Sequence, residues 1–346
     1  MIRRRFFDVL ESAGGFLEVV TYTGNGSIQS ITSLDFQPDL VWIKQRNGTG
    51  RNVLTDSVRG AEKILYSELT VGETIYAGRG LTSFDSNGFT VDDTGVLNYS
   101  VNDSGNTYVA WAWKAGGAEV PNTDGSITSQ VSANQSAGFS IVAYTGNGSA
   151  GATIGHGLNL APELIIQKNR DEAQSWIVNA DVIGKSNVLT LDNSNPFLSR
   201  PNQYYYAWDS STLTTGSDIH TNGLNDKIIA YCFHSVVGYQ KVGSYTGTGG
   251  SSVNTISFGF SPRFVMIKRT NSTGGWRMYD VARDTGTLPF RINHSLRADR
   301  NDAEYDGTND PNGYMSFTDD GIEFSTNEIN PDLNASGGTY MYLAIK

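Results

Sequence analysis

The residues able to do chemistry are sparse. Histidine is the side chain best placed to exchange a proton near neutral pH, and the four in this sequence stand at 156, 220, 234 and 294. No two are four residues apart and none sits in His-Glu-x-x-His, so no helical zinc site is spelled out. The segment NDAEYDGTNDPNG sets Asp302, Glu304 and Asp306 ahead of Gly307 in the order of a calcium loop. Gly313 occupies the place of the bidentate glutamate, so the segment reads as a solvated acidic loop or a weak cation site. With 35 carboxylates in the chain, some pair always lies at glycosidase spacing, and spacing alone singles out none. Gly24-Asn25-Gly26 resembles a fragment of a nucleotide loop, but a strand pattern follows it where a helix N-terminus is needed to hold phosphate. A Gly-x-Ser-x-Gly elbow is absent, which argues against an α/β-hydrolase. The single cysteine, Cys232, lies in the apolar run IIAYCFHSV and reads as a buried thiol with no disulfide partner. The chain is therefore expected to be non-enzymatic, with no cofactor and no metal.

One aromatic stretch stands apart, NQYYYAWDSS at Asn202 to Ser211. Consecutive aromatics on a strand point to opposite faces and cannot all enter one core. Tyr204, Tyr205, Tyr206 and Trp208 are accordingly the candidate contacts to another subunit or to a sugar face, on what reads as an insertion private to one part of the chain.

The elements that must position these residues repeat three times. TYTGNGSIQ at Thr21, AYTGNGSAG at Ala143 and SYTGTGGSS at Ser244 each open a longer unit. About fifteen residues later comes a proline and an apolar strand ending in lysine: FQPDLVWIKQR, LAPELIIQKNR and FSPRFVMIKRT. Pro38, Pro162 and Pro262 each precede Lys44, Lys168 and Lys268 by six residues. Each unit closes on an apolar strand, YVAWAWKAG, IIAYCFHSV or YMYLAIK, the last ending at Lys346, which is where a third copy would be complete. A period of this length is too long for a solenoid, so each copy is expected to be a domain with its own core.

Within a copy the alternation is that of strands. Asn47-Gly48, Asn87-Gly88, Gly274-Gly275 and Asp320-Gly321 mark hairpin turns, and Gly-x-Gly supplies the positive φ of a tight turn. The middle copy's TLTTGSDIHTNGLND matches the second hairpin less well. In the closing strand Trp111 and Trp113 alternate with Ala110 and Ala112, which suggests that the large residues fill a sandwich core and the small ones meet a neighbouring segment. Thirty-nine glycines, seventeen tyrosines and only 17% charged residues fit the same all-β class. The expected architecture is three tandem β-sandwich, jelly-roll-like domains: repeat 1 over 16–117, a flexible polar linker over 118–138, repeat 2 over 139–236 and repeat 3 over 237–346. The second and third should pack tightly while the first is free to be displaced.

Residues 1–15, MIRRRFFDVLESAGG, match no copy. Phe6, Phe7 and Leu10 share a helical face, and with Arg3, Arg4 and Arg5 they form a candidate docking segment for an acidic partner surface. The net charge of −10 repels phosphate backbones and disfavours nucleic-acid binding. No apolar run reaches the length of a membrane span, and no signal-peptide core follows the arginines.

The order YTGNGS, FQPDLVWIKQRNGTGRNVLTDSVRGAEKIL, LTSFDSNGFTVDD, NDSGNTYVAWAWKAGG resembles a repeat of tailed-bacteriophage virion structural and tail-fibre proteins. Phe16 to Gly117 carries every segment; the later copies keep the opening turn, the Pro-to-Lys strand and the closing strand. The resemblance implies a virion component assembled in the host cytoplasm and anchored by its N-terminus. It also implies other virion proteins as partners, a homo-oligomer such as a trimer, and adhesion to a host surface glycan. It carries over no binding residue. The alternative is a carbohydrate-active enzyme or depolymerase acting on such glycans.

Overall fold

The hairpins expected in the first copy form, Leu40–Gln45 with Asn52–Asp56 and Gly80–Asp85 with Gly88–Asp92, and the other two copies reproduce them. In a computed structural model of the chain, residues 15–93, 95, 101–284, 286–308 and 314–346 are described. The candidate docking segment, Arg3 to Leu10, lies outside them. Each unit places its closing strand (Thr107–Trp113, Lys227–Phe233 or Thr339–Ile345) at the centre of a large antiparallel sheet. On one side runs the opening strand, Leu17–Thr23, Phe139–Thr145 or Gln240–Thr246; on the other runs the lysine strand, Leu40–Gln45, Leu164–Asn169 or Phe264–Arg269. The lysine strand pairs with Asn52–Asp56, Ile177–Ala180 or Trp276–Asp280. A second, smaller sheet of three or four strands covers one face of each large sheet. The protein is all-β and built as several sandwiches.

The three units are not beads on a string. Tyr108, Ala110 and Ala112 face the first unit's own sandwich core, while Val109, Trp111 and Trp113 join a different cluster. The same split holds for Ile228, Ala230 and Cys232 against Ile229, Tyr231 and Phe233. It holds again for Tyr340, Tyr342 and Ala344 against Met341, Leu343 and Ile345. The second set from all three units forms one shared central core, including Trp42, Trp176, Trp276, Phe264 and Met266. This corrects two expectations. In the first unit the small residues face the sandwich and the tryptophans face the neighbouring units, the reverse of the alternation as read. The first unit is also not displaceable, because nine of the 32 buried residues of the central core are its own. Strands buried on both faces explain why LVWIKQ and LIIQKN are covered along their whole length.

Two further segments depart from expectation. Residues 118–138 are not a flexible linker: Val120–Asn122 and Ser129–Asn134 form strands that extend the second large sheet beyond its opening strand. Serines made the segment look like a tether, but Ser129 and Ser132 are buried and donate to the carbonyls of Gly155 and Gly117 at 2.7 Å each. The tyrosine-rich stretch is not an insertion. Tyr205–Trp208 pairs with Thr212–Thr215, the place that Gly80–Asp85 with Gly88–Asp92 and Met315–Phe317 with Gly321–Phe324 hold in the other copies. The hairpin sought in TLTTGSDIHTNGLND begins earlier, and Ile219–Asn222 is one helical turn capped by Asp218.

The recurring Tyr-Thr-Gly-x-Gly is a clamp. Tyr22, Tyr144 and Tyr245 donate their hydroxyls to the carbonyls of Val101, Thr221 and Leu333. The next residues, Asn102, Asn222 and Asn334, are fully buried, and each Oδ1 accepts the N–H of the variable residue, Asn25, Asn147 or Thr248. The two glycines serve different needs. A Cβ on Gly24, Gly146 or Gly247 would stand 2.3 Å from the carbonyl oxygen of Asp103, Gly223 or Ala335, whereas Gly26, Gly148 and Gly249 hold φ of +72°, +70° and +66°. The clamp ties the start of each unit to its closing strand. Gly146→Ala should therefore cost about 2–3 kcal/mol of stability by overpacking, against about 1 kcal/mol for Gly78→Ala, which has open space and only a positive φ to strain. Denaturant midpoints of the two chains measure the difference, and equal losses contradict the close-approach role.

Candidate functional site

The three lysines at the ends of the Pro-to-Lys strands are buried, and each reaches into a different unit. Lys44 Nζ donates to Gln45 O at 2.8 Å and to Asn301 O of the third unit at 3.3 Å. Lys168 Nζ donates to Asn169 O, Glu172 O, Gln174 O and, at 3.0 Å, Thr70 O of the first unit. Lys268 Nζ donates to Arg269 O and to Ser194 O and Asn195 O of the second. First reaches third, third reaches second, second reaches first: the order closes into a ring with approximate threefold symmetry. Burial pulls each ammonium down from its ordinary 10.5 to about 8, while the accepting carbonyls favour the charged form.

Opposite each lysine the ring repeats itself. Trp176 Nε1 donates to Tyr66 O and Trp276 Nε1 to Thr190 O, each at 2.8 Å. In the first unit Asn52 stands at that position and its Nδ2 donates to Arg297 O at 3.1 Å. Backbone bonds continue the pattern, from Glu73 N to Arg170 O, Glu304 N to Arg46 O and Phe197 N to Thr270 O.

At two of the three junctions these bonds enclose a buried charge network. Asp56 Oδ2 accepts from Arg59 Nε at 2.5 Å and from the Tyr231 hydroxyl at 2.8 Å, and Glu73 binds both Arg59 and Arg170. Asp280 Oδ2 accepts from Arg283 Nε at 2.7 Å and Trp111 Nε1 at 2.9 Å, and Glu304 binds both Arg283 and Arg46. Burial would raise the carboxyls of Glu73 and Glu304, but their arginine partners hold both below the ordinary range. The third junction has Ala180, Ile183, Phe197 and Thr270 at the corresponding positions, with Leu343 for Trp111 and Tyr231. Glu304 is thus an arginine partner and not a calcium ligand, which corrects the acidic-loop reading. Among the described residues no three metal-capable side chains come together.

The remaining candidates are scattered. Tyr204, Tyr205 and Trp208 are buried, each less than 8% exposed, so they are not the surface contacts expected of them; Tyr206 is half-buried. Tyr205 shares a 2.6 Å hydrogen bond with Tyr144, and Tyr204 covers Ile177 and Val188. The run of aromatics fits because one strand faces two different clusters. His156 is buried against Asp209 O, His220 binds Asp218, His234 lies against Ser235 O and His294 binds Asp284. Cys232 is buried, and burial pushes its thiol up to about 12.

One cleft was not foreseen. Between the two sheets of the third unit, about 400 Å³ including its open mouth is lined by Arg277, Tyr279, Arg291, Asn293, Ser295, Tyr305, Tyr314 and Glu328 over a floor of Ile292, Met315 and Leu333. The register places Arg277 and Ser295 where the first unit has Val53 and Ile64 and the second has Ile177 and Val188. The other copies fill this space with apolar side chains. The substitution pattern was visible in the sequence, but only an alignment of the copies at single-residue register reveals it.

The chain belongs to the family described as Domain of unknown function (DUF7483), whose model matches residues 12–346. No curated protein and no solved structure matches it.

Two outcomes follow from the ring. A lysine whose folded-state pKa lies near 8 and whose unfolded value is 10.5 binds more protons when unfolded across that interval, so stability should rise with pH there. Urea midpoints should increase from pH 7.5 to 9.5, a window in which tyrosines raised by burial stay protonated, and Lys168→Met should flatten the slope; an unchanged midpoint in the parent chain contradicts the shift. At the charged junction, Asp56→Ala should cost about 3–5 kcal/mol by removing the buried acceptor of Arg59 Nε and the Tyr231 hydroxyl. Combining it with Arg59→Ile, Glu73→Phe, Arg170→Thr and Tyr231→Leu, the composition of the apolar junction, should restore midpoints to within about 2 kcal/mol of the parent. A combined chain no better than Asp56→Ala alone refutes the equivalence of the junctions.

Proposed function

We propose that this chain is a non-enzymatic attachment and display protein of a virion, held on the particle through its N-terminal segment and presenting its ring of sandwiches to a host surface glycan. The observation that carries the reading is the use made of the repeated motifs. The Pro-to-Lys strand and the closing strand are buried and serve closure between units, and the Tyr-Thr-Gly-x-Gly clamp fastens each unit's opening turn to the segment ahead of its closing strand. A rigid, closed assembly suits display. In the analogy with phage fibres three chains supply a threefold arrangement; here one chain supplies an approximate one, so the unit presented is a compact head. The junction carboxylates Asp56, Glu73, Asp280 and Glu304 are each engaged by arginine, so the ion networks too are spent on assembly.

The test has two readouts. Deleting residues 1–15 should abolish incorporation into particles while leaving the folded head intact, and the purified protein should leave host surface glycans at full length. Incorporation unchanged by the deletion refutes the anchor, and chain shortening of the glycan supports the depolymerase alternative.

A further inference from the structure

We infer that the intersheet cleft of the third unit is a binding site for an acidic saccharide, a hydroxyl-rich sugar carrying a carboxylate. The first observation is an uncompensated cation. The buried guanidiniums of Arg59 and Arg283 and the half-buried ones of Arg46, Arg51, Arg170, Arg277 and Arg297 each hold a carboxylate. Arg291 holds none among the described residues: it donates through Nη2 to Gly307 O and lies 4.9 Å from the ring centre of Tyr314. In a chain of net charge −10, a cleft-wall guanidinium with no carboxylate among the described residues is a place for an anion, and its planar fork suits a carboxylate.

The second observation concerns unmade hydrogen bonds. Arg291 Nε and Asn293 Oδ1 both belong to cleft-lining residues, both are covered from water, and neither has a partner among the described residues. One needs an acceptor and the other a donor. A bare carboxylate answers only the first, whereas a sugar hydroxyl beside a carboxylate answers both. Such buried, unsatisfied groups are uncommon and call for a cause.

The third observation is the rim. Tyr305 and Tyr314 are 47% and 42% exposed, offering flat faces of the kind that take the apolar side of a pyranose ring. The apolar floor and two convergent polar groups match the build of a small-molecule site. Finally, the cleft exists only where Arg277 and Ser295 have replaced core aliphatics. Arg277 is itself tied to Asp332 at 2.9 Å and to Ser295 Oγ at 3.2 Å; it holds the wall open and leaves Arg291 as the ligand's cation.

This site deepens the display reading and rests on it for its biological purpose, but its test is independent of particle assembly. Titration calorimetry on the full chain should use tetragalacturonate, its methyl ester, maltotetraose and an acetylated tetraglutamate peptide. The acid sugar should bind at least about tenfold more tightly than each of the other three, and more weakly as salt is raised. Arg291→Gln should lower that affinity about tenfold, Arg291→Lys less, and Tyr314→Ala by a similar factor, with thermal midpoints near the parent's. Equal binding of the acid and its ester, preference for the peptide, no binding of tetragalacturonate, or an Arg291→Gln chain that binds like the parent each overturns the proposal. Loss of sugar binding by a variant still incorporated into particles marks this site as separate from the anchor; incorporation that survives deletion of residues 1–15, with sugar binding intact, refutes the anchor alone.

Discussion

Every large sheet in this protein has two apolar faces, and one sandwich can cover only one of them. The other face, Trp111 and Trp113 in the first unit, Tyr231 and Phe233 in the second, Leu343 and Ile345 in the third, must be covered by the remaining two units or stand in water. Burial of side chains of this size contributes about 1.5–3 kcal/mol each, so the central core ranks with the sandwich cores and is not a seam added to finished domains. From this constraint the ring follows. Three sheets that each present an apolar face, joined by short connections, have one arrangement that hides all three faces at once. Each edge then meets the next unit's loop, and the backbone groups exposed there need partners, which the lysines and tryptophans opposite them supply.

The junctions show what polar groups add to such a core. A buried ion network is seldom more stable than well-packed apolar residues of the same volume, because desolvation offsets the attraction. The chain contains both solutions at equivalent places: Asp56, Arg59, Glu73 and Arg170 at one junction, Ala180, Ile183, Phe197 and Thr270 at another. Stability alone therefore does not explain the networks. A guanidinium shared by two carboxylates accepts only one geometry, whereas an apolar contact tolerates sliding. Three similar units could in principle associate in the wrong order, and two directional junctions with one apolar junction give each unit a distinct pair of neighbours. The networks act as register marks in this account, with the apolar core supplying the larger share of the free energy.

Much of this was legible before any coordinates. The hairpins around Asn47-Gly48 and Asp320-Gly321 are local signals, alternating runs broken by turn residues, and they appear where expected. The coincidence of Pro38, Pro162 and Pro262 with their lysines identified the repeated strand. What a repeat cannot disclose is which face of a strand meets another copy, because period-two alternation is the same whether the partner is the small sheet or a neighbouring unit; Trp111 and Ala112 were assigned to the wrong sides for that reason. Residues 118–138 looked like a tether because serine is ambiguous between a solvated link and a strand with hydrogen-bonded hydroxyls. Asn102, Asn222 and Asn334 went unnoticed although each stands six residues before the first core residue of its closing strand, Tyr108, Ile228 or Tyr340. A buried asparagine that clamps a turn has the same composition signature as an exposed loop asparagine.

The cleft in the third unit follows from the same division of labour. A free-standing sandwich that replaced two core aliphatics with arginine and serine would lose a large part of what holds its sheets together. Here the outer face of the third large sheet is already fixed by the central core, and the Tyr245 clamp independently ties its opening turn to the closing strand. The small sheet remains attached through the same apolar cluster that floors the cleft, Phe258, Phe317, Ile322 and Phe324 beside Ile292, Met315 and Leu333. Fixing a sheet from behind lets its front carry polar residues, which is how a repeat devoted to closure can still hold a recognition site in one of its three copies.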